Sequence, residues 1–82
     1  MKASNRFISE GFVEETPSGT VNGSNVTFTL SFTPDDSAGV NVYLNGILQR
    51  LTTNYTISGA TLTFVSAPAL AQDVFVKYTK KT

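Results

Sequence analysis

Residues 40–48 read VNVYLNGIL. Val40, Val42 and Leu44 alternate with Asn41 and Tyr43, the period-two pattern of a half-buried β-strand. Asn45-Gly46 then breaks the apolar run. A two-residue type I′ turn requires positive φ at both central positions, which Asn and Gly tolerate best. The apolar chain resumes at Ile47, so a return strand is expected from Ile47 to about Leu51. The stretch therefore predicts a hairpin with Val42 on one face and Tyr43 on the other.

The same pattern extends in both directions. In NVTFTLSF (25–32), Val26, Phe28, Leu30 and Phe32 alternate with Thr27, Thr29 and Ser31, and Pro34-Asp35-Asp36 ends the run. In NYTISGATLTF (54–64), Tyr55 and Ile57 lead into a turn at Ser58-Gly59-Ala60, and Leu62 and Phe64 lead out. Ala67-Pro68-Ala69 breaks the pattern again. The last strand, DVFVKY (73–78), sets Val74, Val76 and Tyr78 on one face and Phe75 and Lys77 on the other. No window keeps a helical apolar period. The expected fold is all-β: one domain over 1–82, a small antiparallel β-sandwich, Ig-like or jelly-roll-like, of about six or seven short strands. Little or no helix is expected. The sandwich is assigned to 20–82, and 1–19 to an N-terminal arm or first strand.

The leading segment RFISEGFVEE (6–15) differs from the rest. Phe7 and Val13 share one parity, Ile8 and Phe12 the other, so both faces carry bulky apolar groups. A free edge strand of this kind invites aggregation. The segment is therefore expected to be a strand buried on both faces or an arm lying on a neighbour, with Phe7, Ile8, Phe12 and Val13 as interface residues.

Composition narrows the function. A chain of 82 residues has a thin core, and with no cysteine there is no disulfide to staple it. Small unstapled domains often gain stability by oligomerising or docking on a larger body. There is no histidine and no thiolate, so the commonest general base, the commonest metal ligand and the cysteine nucleophile are all missing. No enzymatic activity, cofactor or metal site is expected. Asp35-Asp36 could contribute oxygen ligands to a hard cation, but it lacks a full ligand set and reads as a turn. Ser18-Gly19 and Asn22-Gly23 complete no phosphate-binding pattern.

Six Lys and Arg balance six Asp and Glu, which gives no field toward nucleic acid or an anionic membrane. The charges are segregated: Glu10, Glu14 and Glu15 lie near the start, Lys77, Lys80 and Lys81 near the end. They are read as solvated termini or as complementary ends; Glu14-Glu15 by itself reads as a solvated strand end. No apolar stretch is long enough to span a membrane and MKASNRF is no secretion signal, so an intracellular origin is expected. The sequons at Asn22, Asn25 and Asn54 are then chance matches. Tyr43 and Phe75 face away from the core and are the candidate contact aromatics, with Arg50 and Leu51 as possible neighbours.

Six segments taken together carry a resemblance: PSGTVNGSNVTFTL (17–30), VYLNGIL (42–48), NYTISG (54–59), LTF (62–64), Ala67-Pro68 and VFVKY (74–78). The string resembles a β-sandwich module of bacteriophage virion proteins, found in tail fibres, baseplate-associated proteins and head decoration or head fibre proteins. The family often has Asp-Tyr where this chain has Asn54-Tyr55, and Gly-Asp where it has Gln72-Asp73; both departures fall at turns. The resemblance covers about residues 17–79. It implies a non-enzymatic virion protein, made in the host bacterial cytoplasm, and most directly a capsid decoration (cement) protein on the outer surface of the particle. The implied partners are the major capsid protein or other virion proteins, with further copies of the chain in a homo-oligomer, a trimer being one form. A tail, adaptor or fibre component is the near alternative. A host-adhesion or carbohydrate-binding module is the more distant one, for which Tyr43 beside Asn41 is the only sequence hint.

Overall fold

A computed structural model describes residues 11–81. These form seven strands and one short 3₁₀ turn: β1 (Phe12–Glu15), β2 (Thr27–Thr29), the turn η1 (Ser37–Gly39), β3 (Asn41–Leu44), β4 (Ile47–Leu48), β5 (Tyr55–Ser58), β6 (Thr61–Phe64) and β7 (Val74–Thr79). All strand pairs are antiparallel. One sheet has the order β1-β7-β3-β4 and the other β2-β6-β5. The expected small all-β sandwich is what the chain forms.

Alternation places the core between the sheets. From the four-stranded sheet, Val42, Val74, Val76 and Tyr78 point inward, and from the other, Phe28, Tyr55, Leu62 and Phe64; all are buried. Phe28 and Phe64 meet edge to face, centroids 5.6 Å apart, the geometry favoured by ring quadrupoles. Two tyrosines carry polar tips into this core, and both find partners. The Tyr55 hydroxyl donates to the Val40 carbonyl at 2.8 Å, and the Tyr78 hydroxyl donates to Glu15 at 2.6 Å.

The turns follow their chemistry. Asn45 and Gly46 adopt φ 53° and 82°, the I′ pattern predicted from the sequence. The second hairpin turns on Gly59-Ala60 alone: Ser58 is the last residue of β5, paired with Thr61, not part of the turn. Two strands are shorter than their apolar patterns suggest. β2 ends at Thr29, and Phe32 is 45% exposed. After Leu30 the chain leaves the sheet because Ser31 binds Glu15 and Thr33–Asp35 bonds along the end of β7. β4 ends at Leu48, well before Leu51. There the Asn54 side chain accepts from the Arg50 amide at 3.0 Å while the Asn54 amide donates to the Arg50 carbonyl, closing a compact loop.

Phe12 and Val13 lie in β1, so the described part of the leading segment is a first strand, one of the two forms expected, but it is not buried on both faces. It is the edge strand of the four-stranded sheet, with Val13 packed against the core and Phe12 50% exposed. Phe7 and Ile8 lie outside the described residues.

Candidate functional site

The register across β1-β7-β3-β4 fixes what the outer face of that sheet presents. Leu48 lies opposite Tyr43, and Tyr43 opposite Phe75. This makes one apolar row across three strands. The neighbouring row is polar: Asn41 opposite Lys77, and Lys77 opposite Glu14. Beyond it Phe12 lies opposite Thr79. Tyr43 and Phe75, picked out by parity alone, are thus cross-strand neighbours on one surface. Cross-strand partners of this kind share one face of the sheet.

Between them the surface dips into a depression of ≈ 260 Å³ lined by Tyr43, Gly46, Asp73, Phe75 and Lys77. The Lys77 ammonium stands 5.8 Å from the centre of the Tyr43 ring and 3.9 Å from the Glu14 carboxylate. Both side chains of that ion pair are well exposed, so it adds little stability. It brings one residue of each charged cluster together, while Lys80 lies over the Phe32 ring instead. Arg50 is not among the residues lining this depression.

The turn positions the site. The Asn45 amide donates to the Asp73 carbonyl at 2.8 Å, and the Asp73 amide donates to Asn45 Oδ1 at 2.9 Å. The tip of the β3–β4 hairpin is therefore tied to the residue that enters β7, and Asp73 is fixed at the rim of the depression. Asp73 was not legible as a site residue. Its only signal was its place just before the last strand.

The opposite outer face has another chemistry. On β2-β6-β5 the register aligns Thr27, Thr63 and Thr56 in one row and Thr29, Thr61 and Ser58 in the next. Every outward side chain of those paired positions is a small hydroxyl. Among the outward side chains of the paired positions, aromatics and charges fall on the four-stranded sheet alone.

Between the faces lies a cluster that the sequence reading missed. Glu15 is no solvated strand end. Its carboxylate accepts from the Tyr78 hydroxyl at 2.6 Å, from the Ser31 amide at 3.0 Å and from the Ser31 hydroxyl. The Tyr78 oxygen in turn accepts from the Phe32 amide at 3.2 Å. Burial raises the Glu15 pKa, but the hydrogen bonds from Ser31 and Tyr78 outweigh it and hold the carboxyl below its ordinary value. Burial, then the bond to Glu15, pushes the Tyr78 phenol up to about 12. The cluster clasps edge strand β1 to the segment following β2, closing one side of the sandwich. A signal existed: Glu15 shares the inward parity of Val13.

Asp36 serves as a cap, accepting from the Ala38 amide at 3.0 Å, in keeping with its reading as a turn former. Among the described residues no group of three or more His, Cys, Asp or Glu side chains converges, and no helix is long and apolar enough to cross a membrane. No family model matches the chain, and no curated protein or solved structure matches it.

Proposed function

We propose that the chain is a non-enzymatic structural protein of a bacteriophage virion, a capsid decoration protein that binds the major capsid protein on the outside of the particle. The observation that carries this reading is the difference between the two outer faces. One presents Leu48, Tyr43 and Phe75 in a row with Phe12 nearby, and the other presents only hydroxyls. A sandwich built this way docks by its aromatic face and keeps its hydroxyl face in water. The resemblance over residues 17–79 points to the same class of protein. Burying a few hundred Å² of that face yields several kcal/mol at roughly 25 cal/mol per Å², before association costs. Many copies on one particle then hold by avidity.

The test uses particles purified from cells that make the phage, with the chain tagged. The chain should band with full heads. The double variant Tyr43→Ser/Phe75→Ser should fold, yet remain in the soluble fraction. A wild-type chain that never bands with particles contradicts the proposal; one that bands only with tails moves it to the tail or fibre alternative.

The depression favours a second reading, a glycan-binding adhesion module. An aromatic pair beside a carboxylate and an ammonium in a shallow dip suits a sugar's apolar face and hydroxyls. A glycan array separates the two: a hit abolished by Tyr43→Ser supports adhesion, and a blank array supports the structural role.

A further inference from the structure

We infer that the loop end of the sandwich is a self-association surface, and that its occupant is a second copy of this chain. The end is formed by the β3–β4 turn, the β4–β5 loop (49–54) and the β6–β7 loop (65–73), which meet around a cleft lined by Leu44, Gln49, Asn54, Phe64 and Val65 among others. Seven large hydrophobic side chains are exposed among the described residues, and five belong to these connections or to β4 between them. They are Ile47 at 68%, Leu48 at 56%, Leu51 at 38%, Val65 at 64% and Leu70 at 74%. The outer sheet face shares only Leu48 with this set.

Three features argue for a second copy. The first is area. The five side chains leave on the order of 300–400 Å² of aliphatic surface in water. Two such ends meeting remove about twice that, close to the apolar share of a small specific interface of about 1,200 Å². The second is charge. Residues 44–54 and 64–74 contain one cation, Arg50, and one anion, Asp73. A two-fold contact sets each patch against itself, and this one does so with no excess of like charge, leaving Arg50 free to approach the other copy's Asp73. The third is backbone strain. Among the described residues the non-glycine positions with positive φ are Asn45, Thr52 and Ala71, at 53°, 70° and 72°, and each lies in one of these three connections. Asn45 follows its turn chemistry, but Thr52 and Ala71 hold strained backbone, which persists where a fixed shape is required.

The inference does not depend on the particle, because it concerns the purified chain alone. Sedimentation velocity of the full chain over a concentration series is expected to show dimers at tens of micromolar, roughly the range of a weak specific contact. Ile47→Lys and Leu70→Glu, at exposed positions that leave the core intact, should each weaken association at least about tenfold. Arg50→Asp and Asp73→Arg should each weaken it, and the double exchange should restore it. A wild-type chain that stays monomeric throughout, or association unchanged by these variants, overturns the inference. So does association lost only in Tyr43→Ser/Phe75→Ser, which would assign it to the sheet face. Particle binding by a wild-type monomer would sink this inference and leave the proposed function standing.

Discussion

Glu15 and Tyr78 push each other's protonation in opposite directions, which makes them residues through which pH acts on the fold. The Glu15 pKa is lower in the folded chain than its ordinary 4.5. Its stabilisation is therefore complete above that value and is lost as pH falls through the folded pKa. Tyr78 behaves in the reverse sense. In the unfolded chain the phenol ionises near 10, in the folded chain near 12, so its contribution is intact below 10 and lost between 10 and 12. Tyr55, whose pKa burial also raises, steepens the same alkaline limb. Glu15→Ala leaves the Tyr78 hydroxyl and the Ser31 amide without their acceptor and should cost about 1–3 kcal/mol at neutral pH. Urea titrations across pH 2–7 should show a flatter acid limb in the variant than in wild type; identical limbs would remove Glu15 from the account. Gly19 is a second sensitive residue. At φ 148° a Cβ there would sit 2.4 Å from the Phe28 ring. Gly19→Ala should lower stability by about 2 kcal/mol through displacement of that core aromatic, which a calorimetric scan would register.

At the level of elements, the turns and the inward faces were legible and the strand ends were not. Asn45-Gly46 fixed one hairpin because few other pairs accept two positive φ values in succession. Val74, Val76 and Tyr78 were assigned inward by parity alone and are buried. Parity cannot show where a strand stops, because the stopping interactions are long-range. Phe32 continues the pattern of Phe28 and Leu30, yet Glu15, sixteen residues upstream, takes the Ser31 amide. Leu51 continues the pattern of Ile47, yet Asn54 closes the chain back onto Arg50. The loops hold strain of their own. Ala71 is exposed and holds φ 72°, a left-handed backbone that a Cβ disfavours. Ala71→Gly should therefore raise stability by roughly 0.5–1 kcal/mol, seen as a higher denaturation midpoint at unchanged slope. A lower midpoint would mean that the Ala71 methyl makes a packing contact that outweighs the strain.

On the scale of the whole molecule, the sandwich has two unlike outer faces and one apolar end. Half of the candidate face was visible in advance. Tyr43 and Phe75 follow from alternation, but their adjacency needs the β3–β7 pairing, which joins residues some thirty positions apart and leaves no mark in either strand alone. Asp73 and Glu15 were hidden for the same reason, since their roles are set by partners distant in the chain. In the proposed decoration role, the face built on Leu48, Tyr43 and Phe75 is the one covered on the particle. Cryo-electron microscopy of particles carrying the chain shows which face meets the shell. Density for the sandwich is expected on the outside of the head, with the four-stranded sheet against the shell and the Thr27–Thr63–Thr56 row toward solvent. Density with the hydroxyl face against the shell and Tyr43 in water would contradict it.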